Sequence, residues 1–208
     1  MKAFIYTGGK INKQGITEHP KGDDLKIAAD SGYDNALLLG EMPDLLLGDF
    51  DSISKKPDDK IETLEVPAEK DFTDTQLAVE TAIRRGADDI VIIGGLSGRL
   101  DHTLSNLSIL EDLKKKNVHA VMTDGFNRVR FIDSSSALIP RSHYKYLSVI
   151  AVSDVLKGVE IEGCKYPLKN AKIERVFQYA VSNEIVGNCA LIAIKKGKAF
   201  IVESDERL

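Results

Sequence analysis

Tryptophan is absent from this chain of 208 residues, and cysteine occurs only twice, at Cys164 and Cys189. That pair has neither a metal-binding nor a redox spacing. Two isolated thiols read as free, buried groups in a reducing compartment, and the expected location is cytoplasmic. Long apolar runs are also lacking, and none approaches the roughly 18–20 residues that span a bilayer. Met1 to Tyr6 is broken too soon by Thr7-Gly8-Gly9 to serve as a signal peptide, and reads as a first strand. Charge of one sign is scarce: the formal net charge is −4, with Lys and Arg spread along the chain. There is therefore no basic footprint for nucleic acid. No internal repeat and no low-complexity segment is present.

What the chain does have is aspartate in short spaced pairs near the ends of apolar runs. Gly48-Asp49-Phe50-Asp51-Ser52 follows Leu45-Leu46-Leu47, the end of a buried strand. Alternate side chains on extended backbone share a face, so Asp49 and Asp51 point the same way. Two such carboxylates repel unless a cation lies between them. Mg²⁺ suits them, because it takes hard oxygen ligands and keeps positions open for phosphate. A polar turn capping a strand is the alternative for this motif taken alone.

To about Asp133 the chain alternates strand-like and helix-like segments. Leu25–Ala29 reads as a strand. Tyr33–Leu39 reads as a helix, with Ser31 as N-cap and Gly40 as C′. Ile61–Val66 alternates as a strand. Thr73-Asp74-Thr75-Gln76 fits a capping box, and Leu77, Ala78, Thr81 and Ala82 share a face of the helix that follows. Ile90–Ile93 is a β-branched strand covered on both sides. Leu104, Leu107, Leu110 and Leu113 mark a helix ending in Lys114-Lys115-Lys116, and Val118–Met122 is a further strand. The pattern predicts an α/β domain over residues 1–133 with a mostly parallel, Rossmann-like sheet. After Asp133 only short strands appear: Tyr144–Val152, Val159–Glu162, Leu191–Ile194 and Ala199–Val202. Lys195-Lys196-Gly197-Lys198 reads as a hairpin loop. Residues 134–208 are expected to form an antiparallel β-sandwich, with Ser134-Ser135-Ser136 as the junction.

Four acidic or glycine-rich elements follow strand ends in the first part. They are Asp30-Ser31-Gly32, the Asp49/Asp51 motif, Asp71-Phe72-Thr73-Asp74, and the loop Gly94-Gly95 through Gly98-Arg99-Leu100-Asp101-His102. In an open parallel sheet such exits gather at the carboxyl edge, where ligands bind. Backbone amides of the glycine loop can face phosphate, and Arg99 can clamp it. The loop matches neither G-x-x-x-x-G-K-[ST] nor G-x-G-x-x-G, which disfavours a Walker ATPase or an ordinary dinucleotide binder. Chemistry alone reaches a Mg²⁺-dependent enzyme acting on a nucleoside triphosphate or another pyrophosphate ester.

The ordered set of motifs resembles the bacterial thiamine pyrophosphokinase family. The matching elements are Ala29-Asp30-Ser31-Gly32, Pro43-Asp44 with Gly48–Ser52, Lys70–Thr75, and Gly94 through His102 to Asn106. In the β half they are Gly163–Leu168 and Val181-Ser182-Asn183-Glu184. The family more often carries Gly where Ser31 stands. The resemblance implies an α/β domain followed by a β-sandwich, and a homodimer binding thiamine between the α/β domain of one subunit and the β domain of the other. It also implies transfer of a pyrophosphoryl group from ATP to the thiamine hydroxyl, giving thiamine diphosphate and AMP. Asp49, Asp51 and Asp71 would hold Mg²⁺, with Asp71 nearest the attacking hydroxyl and Asp74 orienting substrate or capping its helix. Asp30, Ser31, Gly94, Gly95, Gly98, Arg99, Asp101, His102 and Asn106 would bind ATP, with Arg99 neutralising phosphate charge. Ser182 and Asn183 would hydrogen-bond the aminopyrimidine; a β-turn is their other reading. Competing readings are a pterin-alcohol pyrophosphokinase on the same scaffold and a non-catalytic sensor of thiamine diphosphate or nucleotide.

Overall fold

The computed structural model describes residues 1–49, 53–54, 57–65 and 72–205. The chain divides into two compact units, Met1–Gly125 and Phe126–Leu208. The division thus falls ahead of Asp133, because the strand Asn127–Asp133 pairs inside the second unit.

In the first unit the order is β1 (Lys2–Tyr6), β2 (Leu25–Ala29), α1 (Gly32–Leu39), β3 (Leu45–Gly48), β4 (Glu62–Glu65), α2 (Asp74–Arg84), β5 (Asp89–Ile93), α3 (Leu100–Lys115) and β6 (His119–Thr123). The strands line up as β4-β3-β2-β1-β5-β6, with every pairing parallel. Tyr33 and Ala36 of α1 pack on one face with Phe4, Tyr6, Ala28, Leu46, Val91 and Ile93. The alternate residues Ile5, Ile27, Leu45, Leu47, Ile90 and Ile92 are equally buried. They turn to the other face, where α2 lies against β1 to β3 and α3 against β6. Right-handed crossovers demand this split, since β2-α1-β3 moves one way along the sheet and β5-α3-β6 the other. Each fully buried Leu or Ile here contributes about 1.5–3 kcal/mol.

Several sequence expectations are met residue for residue. Gly40 takes the left-handed conformation at φ 84° and closes α1. Thr73 and Gln76 form a capping box, with both reciprocal hydrogen bonds made. Others are corrected. Ser31 stands at the N-cap of α1, but its backbone is helical and its side chain makes no capping bond. The buried face of α3 is Asn106, Ile109, Leu110 and Leu113, and Leu104 is 59% exposed. Leucines three apart precess around a helix of 3.6 residues per turn, so Leu104 and Leu113 lie roughly 180° apart. In α2 the buried set is Thr75, Ala78, Val79 and Ala82. β4 is exposed at all four positions, as an edge strand.

The second unit contains β7 (Asn127–Asp133), β8 (Ser136–Pro140), β9 (Tyr146–Ala151), β10 (Val155–Glu162), β11 (Leu168–Glu174), β12 (Cys189–Lys196) and β13 (Lys198–Ser204). β13 pairs antiparallel with β7 and with β9. β11, β10, β12 and β8 form a second antiparallel sheet in that order. Their inner faces share one core that includes Ile132, Val149 and Ile201 from one side and Leu156, Ile161 and Ile192 from the other. This is the expected sandwich. The expected hairpin at Lys195–Lys198 is not formed: β12 and β13 belong to different sheets. Gly197, at φ 120°, turns the corner between them. Ser134-Ser135 makes a second such crossing between β7 and β8, inside the unit rather than at a domain junction.

Candidate active site

The strand order reverses between β1 and β5. Chain connections leave β1 toward β4 on one side, then return beyond it to β5 and β6 on the other. A crevice opens at such a point outside the carboxyl ends of the strands. Here it is a cleft of about 560 Å³, within the usual size of ligand sites. Its walls come from the exits of β1, β2 and β5 and from the first turns of α2 and α3.

The exit of β2 supplies Asp30 and Ser31. Asp30 has φ 46°, a left-handed conformation that Asp tolerates better than most residues. Its N–H donates to Leu47 O at 3.0 Å and its carbonyl accepts Tyr33 N–H at 3.0 Å. The Asp30 carboxylate lies against Gly48, where an added Cβ would meet Asp30 Oδ1 at 1.7 Å. The glycine is thus required by the acid beside it, and Asp30 stands next to the segment that carries Asp49. Asp49 itself does not line the cleft. Asp51 and Asp71 lie outside the described residues, and among the described residues no group of three acidic, His or Cys side chains forms a metal cluster. The described part of the donor set fits Mg²⁺: it is a hard carboxylate pressed on a glycine turn, with a second carboxylate on the adjoining residue.

The opposite wall is the loop after β5. Gly94 and Gly95 have φ 100° and 73°. A Cβ on Gly94 would meet Thr7 O at 2.4 Å, and one on Gly95 would meet Asn106 Nδ2 at 2.7 Å. Gly94 shapes the turn from behind; Gly95, Gly98 and Arg99 face the cleft. Asn106 is buried in α3 and donates to Gly95 O at 3.1 Å, so it anchors the helix to the loop as well as lining the cleft. Arg99 donates to both oxygens of Asp101, at 3.2 Å from Nε and 2.6 Å from Nη2. Asp101 also accepts the His102 N–H at 2.9 Å. The guanidinium holds the Asp101 carboxyl below its ordinary titration range, and the carboxylate in turn raises that of Arg99. His102 and Asp74 line the same space.

The sequence reading missed the exit of β1. Thr7, Gly8 and Gly9 line the cleft, yet in sequence they read only as the end of a strand. The signal was available: a Gly-Gly pair directly after an apolar strand. Buried Thr7 Oγ1 and Thr75 Oγ1 lie 2.9 Å apart, tying β1 to the start of α2. Ser97 and Ser105 also reach the cleft without having been singled out.

Ser182 and Asn183 lie in the second unit. Ser182 is exposed at φ 56° and its N–H donates to Ser148 Oγ at 3.0 Å. Asn183 is 5% exposed. Its Oδ1 accepts the N–H groups of Tyr166 and Glu184, each at 2.9 Å, and its Nδ2 donates to Tyr166 O at 2.8 Å. Asn183 therefore holds the segment Val181–Glu184 to the Lys165–Tyr166 turn, with both its acceptor sites and one of its two amide hydrogens already used.

Comparison with known proteins agrees with this layout. Residues 18–122 match the family model for the thiamin pyrophosphokinase catalytic domain. Residues 136–198 match the model for the thiamin pyrophosphokinase vitamin B1 binding domain. The chain is 31% identical to the thiamine pyrophosphokinase of Bacillus subtilis over 97% of its own length and 98% of the relative's. It is 27% identical to thiamin pyrophosphokinase 1 of Caenorhabditis elegans, over 78% of this chain and 71% of that one. The crystal structure of the Bacillus subtilis enzyme superimposes with a TM-score of 0.88 at 27% identity, covering 100% of both chains. That of the Geobacillus thermodenitrificans enzyme gives 0.84 at 26%, covering 99% of this chain and 98% of that one. With both domain models matched in order and a relative aligned over nearly its full length, the chain belongs to the thiamine pyrophosphokinase family.

Proposed function

We propose that this transferase converts thiamine to thiamine diphosphate by moving the pyrophosphoryl group of ATP as a unit, releasing AMP, in a Mg²⁺-dependent reaction. The observation that carries the reading is the cleft between the exits of β1 and β5, with Asp30 and Asp74 on one side and the Gly95–Arg99 loop on the other. Carboxylates facing a phosphate-type loop repel a bare polyphosphate, and a divalent ion reconciles the two. When bound, Mg²⁺ supplies charge neutralisation across the phosphates.

The residues of the chain do the rest. Asp49, Asp51 and Asp71 would hold the ion, with Asp30 as a further ligand or water holder. Asp71 takes the proton of the thiamine hydroxyl as its oxygen bonds to the β-phosphorus. The bond from that phosphorus to the bridging oxygen of AMP breaks, and the oxygen leaves on AMP. Arg99 neutralises charge on the phosphates, exchanging its Asp101 partner for them, and Asp74 orients the substrate. Ser31, Gly94, Gly95, Gly98, Asp101, His102 and Asn106 shape the nucleotide pocket. Ser182 presents its hydroxyl to the aminopyrimidine, and Asn183 supports it by fixing the turn with one amide hydrogen to spare. Thiamine is bound between the α/β unit of one subunit and the β unit of its partner in a homodimer. The setting is cytoplasmic, a reading supported by the two free cysteines.

The test is an end-point assay of purified protein with ATP, Mg²⁺ and thiamine, separating AMP from ADP. Thiamine-dependent AMP with matching thiamine diphosphate is expected. ADP would mean γ-phosphoryl transfer, and no nucleotide product would move the reading to a pterin alcohol or to a sensor. A monomeric mass by light scattering in a fully active preparation would rule out the shared site.

A further inference from the structure

Every carbonyl of the loop Thr7–Lys10, at the exit of β1, accepts a hydrogen bond within the first unit. Thr7 O and Gly9 O both accept from Asn35 Nδ2, at 2.8 and 2.9 Å. Gly8 O accepts the Gly95 N–H at 2.9 Å, and Lys10 O accepts Ser97 Oγ at 3.1 Å. Two of the four N–H groups are also used: Thr7 N–H donates to Ile93 O at 2.9 Å and Lys10 N–H to Ser97 Oγ at 2.7 Å. The remaining two, on Gly8 and Gly9, donate to no group among the described residues, and both glycines line the cleft.

The surroundings of the pair are equally specific. A Cβ on Gly8 would meet Ser31 Oγ at 2.4 Å, and one on Gly9 would meet Ser97 Oγ at 2.8 Å. Gly9 has φ 96°, a conformation that a side chain would strain. Two adjacent backbone donors with their carbonyls held elsewhere, beside a serine hydroxyl, form a concavity for an oxyanion. Asn35 is what fixes the set. It sits in α1, its two amide hydrogens match two carbonyls two residues apart, and an acceptor there would repel both.

We propose that Gly8 and Gly9 bind a phosphate oxygen of the nucleoside triphosphate through their backbone N–H groups, and that Asn35 is the positioning residue that aims them. The proposal rests on the reading of the cleft as a nucleotide site and adds a donor set from the strand on the far side of the switch point. It lies ahead of the residues matched by the catalytic-domain family model. No carboxylate is part of this cradle, so it can grip phosphate where the Asp30 side of the cleft cannot do so without a cation.

The test uses the full-length protein with Mg²⁺ and no thiamine. Calorimetry compares adenosine with an ATP analogue carrying a methylene between the α- and β-phosphorus, for the parent, Asn35→Ala and Asn35→Asp. Losing two well-aimed donors to a charged group is expected to weaken the triphosphate analogue about tenfold in Asn35→Ala, more in Asn35→Asp, with adenosine unchanged. Equal losses for both ligands, or unchanged triphosphate binding, would overturn the assignment. If the variants fail to fold, amide spectra of the parent decide it. The Gly8 and Gly9 protons should shift downfield with the analogue but not with adenosine, and a pair that stays put refutes the cradle. If those shifts occur and no thiamine diphosphate is made, the proposed function fails while the cradle stands. If the enzyme is active and they do not occur, the cradle alone fails.

Discussion

Ser134 and Gly197 hydrogen-bond each other in both directions: Ser134 N–H donates to Gly197 O at 2.9 Å, and Gly197 N–H to Ser134 Oγ at 3.1 Å. Each residue sits where the chain leaves one sheet of the sandwich for the other. A Cβ on Gly197 would meet Leu156 Cδ2 at 2.8 Å and Val155 O at 3.0 Å, on backbone at φ 120°. Urea denaturation should show Ser134→Ala destabilised by about 1 kcal/mol. Gly197→Ala should lose about 2 kcal/mol or more, from left-handed strain and crowding together. A Gly197→Ala protein as stable as the parent would dismiss the strain account.

Glu203 is 2% exposed. It accepts from Arg130 Nη1 and, at 3.1 Å, from Ser142 Oγ, with Arg128 Nη1 at 3.8 Å. Removing one partner from a buried ion pair strands the other. Glu203→Gln should therefore cost about 3 kcal/mol in thermal or denaturant unfolding. Pairing Glu203→Leu with Arg130→Met should recover much of the loss, and a double variant worse than the sum of its parts would contradict this.

The Arg99–Asp101 pair is exposed on both sides, so its effect is read in titration rather than in stability. The Asp101 carboxyl is held below its ordinary 3.8, chiefly by the hydrogen bond from Arg99. A depressed carboxyl keeps its interaction at higher pH and loses it as pH falls through the lowered value. Carbon-detected NMR should place the Asp101 midpoint below 3.8 in the parent and move it upward in Arg99→Ala. An unmoved midpoint would mean that the pair does not persist in solution.

Chelation should abolish thiamine diphosphate formation, and added Mg²⁺ should restore it, with little change in melting temperature. Asp49→Asn should lower turnover about 100-fold while the protein still folds. Gly48→Ala should act through Asp30, because its new methyl claims the position of the Asp30 carboxylate. It should raise the Mg²⁺ concentration needed for half-maximal rate, and an unchanged requirement would separate Asp30 from the ion.

What the sequence revealed was governed by how local the cause was. The capping box of Thr73 and Gln76 and the αL glycine at Gly40 depend on neighbours within four residues, and both were legible. The Leu104–Leu113 series looked like a core stripe, but the face of α3 is chosen by β6 and α2, which sequence spacing does not report. Lys195–Lys198 carried hairpin chemistry, yet its strands pair with partners 29 to 77 positions away, Val159 with Ile194 and Val129 with Val202 among them. Asn183 was read as a ligand contact, and the bonds of its Oδ1 and one amide hydrogen to Tyr166 and Glu184 are a structural use that sequence does not report. The Thr7–Lys10 loop showed only its Gly-Gly pair in sequence, because Asn35 and Ser97 define its geometry from elsewhere in the chain.

The pairing of β7 with β13 joins the first strand of the β unit to its last, with β8 to β12 enclosed between them. Such a ring of chain cannot peel open from either end, since each end is stapled to the other. Its amides should exchange with solvent as one group, by a single all-or-none opening. A protease cut at an exposed turn within it should leave two fragments that stay associated, each contributing a strand the other lacks.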